Sequence, residues 1–220
     1  MAIQNFITPL HTRAQRDYVA RVVEHDKAAC ATIAKQWGAE YWDGPRQYGY
    51  GGYRYDGRWL PVAQRMAAHY GLTPESRVLD VGCGKGHLLY EFTRAVPGIA
   101  VAGLDLSPYA LKHAKPELTP HLTLGNATAL PYADHSFDLV FSLTTLHNLY
   151  APQLDQALRE IQRVGRQHKL IVVESYRNER EKANLLYWQL TCESFFTPEE
   201  WQWWFDRCGY DGDAEFIYFE

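Results

Sequence analysis

Short apolar runs alternate with amphipathic segments over most of this chain. Arg77-Val78-Leu79-Asp80-Val81 opens the pattern with the composition of a buried parallel strand. Further runs fall near 100–105, 121–125, 137–142 and 170–174, with helically spaced segments between them near 86–96, 108–115 and 152–164. Such alternation predicts a doubly wound α/β fold, a mostly parallel sheet with helices on both faces. Upstream, Tyr18, Val22, Ala29 and Ile33 mark one helical face ending at Gly38, and Thr12 to Gln15 has capping-box spacing. Pro61 opens the helix that leads into the first strand. Regular spacing lapses from Ser175 to Phe196. Thr197 then reads as an N-cap with Pro198 at the first helical position; Trp201, Trp204, Phe205 and Cys208 form a buried stripe, and Gly209 ends the helix. Ala214 to Phe219 reads as a last strand, so six or seven strands are expected.

The chemistry concentrates where the first strand ends. Gly82, Gly84 and Gly86 let the backbone turn tightly and approach a ligand closely, and His87 to Phe92 continues with helical spacing. Strand, glycine turn and helix make a nucleotide-type cofactor site. A dinucleotide turn has the spacing G-x-G-x-x-G, which would need glycine at position 87; here that residue is His87, and the glycine falls one place early. The second strand ends in Asp105-Leu106-Ser107, about 20 residues past the glycines, where a carboxylate accepts both ribose hydroxyls. Asp105 also reads as the cap of the helix starting near Pro108, a task open to Ser107 as well.

The resulting D-x-G-x-G-x-G pattern, Asp80 to Gly86, resembles motif I of the class I S-adenosylmethionine-dependent methyltransferases. The run Ser136 to Leu143, leading into Thr144-Thr145-Leu146-His147-Asn148-Leu149, resembles motif IV of that family, and Asp134-His135-Ser136-Phe137-Asp138 has its Asp-x-Ser-Phe-Asp rhythm. The resemblance covers roughly residues 60 to 175 and implies a Rossmann-like methyltransferase sheet. It also implies S-adenosylmethionine as cofactor. Asp80, Gly82 and Gly84 would hold the methionine amino and carboxylate groups, and Asp105 the ribose. Asn126 and Ala127 would take the adenine, with the Asn126 amide replacing the commoner Asp as acceptor for the adenine amino group. Cys83, Gly86, Leu106, Ser142 and Leu143 extend the candidate cofactor wall. Two antiparallel strands usually close the family sheet, and the residues after the last helix leave room for one.

Composition narrows the remaining choices. In 220 residues, 46% are hydrophobic and 22% charged, which suits one soluble domain with a sizeable core. The net charge of −4 and the lack of a basic run argue against nucleic acid as main partner. Cys30, Cys83, Cys192 and Cys208 are widely separated, without metal-ligand spacing, so reduced thiols and no structural metal are expected. No signal peptide or membrane-length apolar run is evident, so a cytoplasmic protein without a membrane partner is expected. Oligomeric state is not readable.

Aromatic content is high at 14%, and much of it lies between Tyr41 and Trp59. Residues 1–59 are therefore expected to form an N-terminal helix and aromatic, glycine-rich lid, and residues 60–220 the cofactor domain. The alternative for this segment is an irregular loop pinned to the core by its rings. As a lid, its ring faces would attract a sulfonium at ~0.5–2 kcal/mol each. Tyr50 and Arg58 are its candidate cofactor contacts, with Arg46 and Arg54 as further partners for a carboxylate. His147 is the first candidate general base, against the alternative of a hydrogen-bonded wall residue. Glu174 and Tyr176, at the end of the fifth strand, are candidates for orienting an acceptor amine or hydroxyl, and Arg177 and Glu193 read equally as mouth residues or surface charges. The expected activity is methyl transfer to nitrogen or oxygen of a small polar metabolite, a sugar or amino-acid derivative. The alternatives are aminocarboxypropyl transfer or cyclisation of the same cofactor, and a catalytically silent cofactor-binding subunit.

Overall fold

In a computed structural model describing residues 1–220, six strands form one sheet. They are β1 (Arg77–Val81), β2 (Ala100–Asp105), β3 (Leu122–Leu124), β4 (Phe137–Leu143), β5 (Gly165–Glu174) and β6 (Asp213–Ile217). Their order is β3-β2-β1-β4-β5-β6, and every neighbouring pair is parallel. The chain order reverses beside β1, so β1 and β4 flank the switch point where α/β sheets bind ligands.

Ten α-helices accompany the sheet. The N-terminal ones are α1 (Thr8–His11), α2 (Tyr18–Val23), α3 (Lys27–Ala34), α4 (Ala39–Trp42) and α5 (Leu60–His69). Those interleaved with or following the strands are α6 (His87–Ala95), α7 (Pro108–Lys112), α8 (Ala151–Val164), α9 (Glu179–Trp188) and α10 (Pro198–Cys208). Alternate strand residues feed two cores: Val78, Phe141 and Leu170 join α5 and α6 on one face, and Leu79, Val140 and Ile171 join α8 and α10 on the other. No helix is long and apolar enough to cross a membrane.

Four sequence expectations are corrected. The expected single face from Tyr18 to Ile33 is two helices, because Asp26 caps α3 by accepting the Ala29 N–H at 2.9 Å. No helix starts at Thr12; that residue closes α1, its hydroxyl donating to the Thr8 carbonyl at 3.1 Å. The stretch read as irregular holds α9, capped by Asn178, whose side chain accepts from the Glu181 N–H at 3.0 Å. Its weak pattern follows from burying only Glu181 and Leu185. The closing strand β6 is parallel rather than antiparallel to β5, because α9 and α10 form a crossover that returns the chain to the starting end of the sheet. The α10 expectation holds at both ends, with Thr197 and Glu200 forming a capping box and Gly209 ending the helix at φ +66°; of the expected stripe Trp201, Phe205 and Cys208 are buried and Trp204 is only partly so.

The N-terminus docks on the far edge of this sheet. Ile3 bridges Ala214 in parallel, and the buried Glu215 carboxylate accepts the N–H groups of Phe6, Ile7 and Thr8 at 2.7, 2.8 and 2.6 Å. From there α2 packs on α9, and the chain crosses to the C-terminal ends of the central strands.

Candidate active site

A cavity of about 300 Å³ lies over the C-terminal ends of β1, β2 and β4. Its floor is the glycine turn. A Cβ on Gly82, at φ +86°, would sit 2.2 Å from the Thr145 hydroxyl oxygen, and one on Gly84, at φ +54°, would sit 2.7 Å from the Trp42 ring. Only glycine satisfies both the backbone conformation and the close approach. Gly82, Cys83 and Gly84 face the cavity, whereas Gly86 lies behind its wall, against the Leu118 side chain.

Asp105 ties the end of β2 to this turn. Its Oδ2 accepts from the Gly84 N–H at 2.7 Å and its Oδ1 from the Ser107 N–H at 2.8 Å. Ser107, not Asp105, caps α7, its hydroxyl accepting from the Ala110 N–H at 3.0 Å. Asp105 therefore stays on the cavity wall, with lone pairs left for a vicinal diol. Burial raises its carboxyl pKa. Asp80, at the end of β1, is more extreme: its Oδ1 is buried without a partner, and burial together with the Asp105 charge pushes its pKa well up. An unpartnered buried carboxyl oxygen costs ~1–3 kcal/mol, which a bound ammonium group would recover.

Ala127, Leu106 and Leu143 also line the cavity. Asn126 lines it too, with a different polarity from that expected. Its Oδ1 already accepts from the Thr128 N–H at 3.0 Å in a local turn, so the amide presents its NH₂ as the free group. Ser142 is displaced from the wall; it is fully buried and donates to the Val81 carbonyl at 2.8 Å, joining β4 to β1. Arg58 is also off the wall, held by an ion pair to Asp56 two residues away, with 62% of its side chain exposed.

The aromatic segment covers the cavity, with Tyr41, Trp42, Tyr50, Tyr53 and Trp59 on the wall. Trp42 lies against Gly84, its indole N–H donating to the Ser107 hydroxyl at 3.0 Å. Tyr50 stacks on Trp42 with centroids 5.3 Å apart, and Tyr53 stacks on His87 at 4.7 Å. Sequence reasoning missed the pin that closes this cover. Lys85, buried inside the glycine turn, donates to both Asp43 oxygens at 2.7 Å and to the Tyr53 carbonyl at 3.0 Å. The only available signal was a lysine embedded in the turn; its partner lies 42 residues away.

A second, polar cavity of about 90 Å³ adjoins the first and shares Tyr41, Tyr50, Thr144 and Asn148 with it. It holds two of the expected catalytic residues. His147, fully buried, accepts at Nδ1 from the Glu174 N–H at 3.4 Å, which leaves its proton on Nε2, 3.5 Å from Glu174 Oε2. Glu174 Oε1 accepts from the Gln189 amide, while Oε2 has no hydrogen-bond partner. Burial lowers the His147 pKa to about 3. Burial raises that of Glu174 to about 8 against the opposing pull of Gln189 and Arg16. Tyr176 lines neither cavity; it sits in the apolar core with the Lys182 ammonium 5.1 Å from its ring centroid. Arg177 and Glu193 are likewise absent from both walls, paired with Glu181 and Glu220 and with Lys35 respectively.

Comparison with known proteins agrees with this geometry. The family profile described as "Methyltransferase domain" matches residues 79–173. The chain is 33% identical over 141 residues to an uncharacterized protein of Mycobacterium tuberculosis, covering 62% of this chain and 45% of that one. It is 31% identical over 137 residues to an uncharacterized methyltransferase of Synechocystis, covering 60% of this chain and 61% of the relative. It thus spans about half the length of the curated relatives it matches. Among solved structures, the YcgJ protein of Bacillus subtilis superposes with a TM-score of 0.56 at 23% identity, over 70% of this chain and 68% of that one, a likeness of fold.

Proposed function

We propose, for a chain whose residues 79–173 belong to the class I S-adenosylmethionine-dependent methyltransferase domain family, that it moves a methyl group to nitrogen or oxygen of a small polar metabolite. The observation that carries this reading is the pair of adjoining cavities. One has the glycine floor, the orphaned Asp80 oxygen and the Asp105 carboxylate; the other is polar and holds an unpartnered Glu174 oxygen. The residues present fit the cofactor. Asp80 would hold its ammonium group, Asp105 its ribose, Asn126 and Ala127 its base, and the aromatic cover would face its sulfonium. When bound, S-adenosylmethionine supplies the methyl group as an electrophile.

The protein's share of catalysis is then orientation, water exclusion and proton removal. The pinned lid serves the first two. For the third, the geometry favours Glu174 over His147. His147 is held neutral with Nδ1 already accepting, so it positions Glu174 rather than taking the proton. Glu174 presents a free oxygen, and a carboxyl raised to about 8 is a strong base whose acting, deprotonated form grows as pH rises toward 8. Mass analysis of products from S-adenosylmethionine and a panel of polar amines and alcohols tests the reading. S-Adenosylhomocysteine and a methylated acceptor are expected. Methylthioadenosine instead would assign aminocarboxypropyl transfer or cyclisation, and tight cofactor binding with no product from any acceptor would assign a silent partner subunit.

A further inference from the structure

Three arginines surround one indole at the outer end of the second cavity, and none has an acidic partner. The guanidinium carbons of Arg16, Arg21 and Arg46 lie 5.4, 4.8 and 5.1 Å from the Trp188 ring centroid. Arg16 donates to the His11 and Ala14 carbonyls and to the His11 ring. Arg21 donates to the carbonyls of Trp188 and Arg46, and Arg46 to those of Gly49 and Tyr50. Every acceptor is neutral, and no carboxylate oxygen lies within 4.0 Å of any of the three. Burial lowers the pKa of all three, and the Arg46 charge lowers those of Arg16 and Arg21 further.

Such an arrangement is unfavourable without a counter-charge. Guanidinium groups gain about 0.5–2 kcal/mol each from an aromatic face, but they gain most from planar oxyanions that accept two of their hydrogens. Arg16 Nε is buried with no partner at all. Arg21 and Trp188 line the second cavity beside Glu174, whereas no arginine or lysine lines the first. The cluster therefore faces the acceptor side, and the cofactor carboxylate is left to the glycine turn.

Resting on the methyltransfer reading above, we propose that the acceptor is an anionic small molecule whose carboxylate or phosphate is bound by Arg16, Arg21 and Arg46, with its amine or hydroxyl reaching Glu174. The span from charge to nucleophile is then set by the chain itself: Trp188 and Gln189 are adjacent, and Gln189 holds Glu174 by the other carboxyl oxygen. A neutral sugar or a simple amine would leave the cluster uncompensated.

The test titrates inorganic phosphate and acetate into the protein without cofactor, following the arginine Nε–H resonances by NMR, while calorimetry with S-adenosylhomocysteine is run separately. Expected is a saturable one-to-one shift with at least one anion, persisting at physiological salt, where a diffuse surface field is screened. Phosphate alone binding assigns a phosphate ester, and acetate alone a carboxylate. R46Q, at a side chain bonded only to backbone carbonyls, should weaken anion binding about tenfold, the scale of one charge-assisted hydrogen bond, and R21Q should do the same. No saturation with either anion, or binding unchanged in R46Q, overturns the proposal. Loss of S-adenosylhomocysteine binding with the anion response intact removes the methyltransfer reading and leaves the anion site standing.

Discussion

Burial holds Glu174 and His147 in ionisation states that neither would keep in water, and their pH signatures have opposite signs. His147 falls from 6.5 to about 3 on folding, so its contribution to stability is present above 6.5 and lost as pH falls toward 3. Glu174 rises from 4.5 to about 8, so its contribution is complete below 4.5 and lost as pH rises toward 8. Between 4.5 and 6.5 the two opposite slopes cancel, so urea unfolding of the cofactor-free protein should show stability declining between 6.5 and about 8, and E174Q should remove that decline; an unchanged slope would mean the carboxyl is not the group titrating. In turnover, E174Q should lose about 10²–10⁴-fold, the range for a positioned base. H147Q should lose less and shift the acid limb of the pH profile, because it perturbs the ionisation of Glu174 without removing the proton acceptor itself. Turnover of E174Q within about tenfold of wild type would return the base assignment to another group. Glu174 was legible from its place at a strand end, but its pairing with a histidine 27 residues away was not. Arg58 and Tyr176 misled for local reasons. Asp56 captures the arginine from two residues upstream, and the chain leaves β5 at Glu174, so Tyr176 turns into the core.

At the scale of elements, the glycine turn and the aromatic lid act as one unit joined by Lys85. K85M removes the cation and leaves Asp43 with only the Tyr109 hydroxyl, donated at 3.0 Å. Asp43 is exposed, so the loss is of a tie rather than a stranded charge: without the ammonium that bonds Asp43 and the Tyr53 carbonyl, the lid should loosen at that point. Trypsin should then cut at Arg46, Arg54 or Arg58 faster than in wild type, and S-adenosylhomocysteine affinity should fall about tenfold; wild-type cleavage and affinity together would show that the rings alone close the cavity. G84A attacks the same junction from the other side, pressing a Cβ into Trp42 at a positive φ, and its calorimetric binding loss should be at least as large. The strands were legible because burial on both faces leaves continuous apolar runs, and β1 and β2 fall on the expected residues. The lid's composition was legible as well. Its closed arrangement was not, because it depends on stacking across the Lys85–Asp43 tie, and α9 escaped because it buries so little of itself.

For the molecule as a whole, the substrate-side parts hang from an anchor at the β6 edge of the sheet. The segment carrying Arg16, Arg21 and the lid begins at β6, where Glu215 gathers three successive N–H groups and the Thr8 hydroxyl on one buried carboxylate. That arrangement fixes where α2 meets α9, and α9 ends in Trp188, around which the arginines gather. Glu215 lines neither cavity, so its substitution separates architecture from chemistry. E215Q keeps the volume but turns one acceptor oxygen into a donor facing backbone N–H groups, which should cost about 3 kcal/mol of unfolding free energy. The same variant should weaken phosphate binding at the arginine cluster more than it weakens S-adenosylhomocysteine binding, since the cofactor floor is built from β1 and β2 and keeps its own supports. Equal losses at both sites would mean that the sheet responds as one block. An unfolding free energy lowered by less than about 0.5 kcal/mol would show that the N-terminal dock contributes little to the fold.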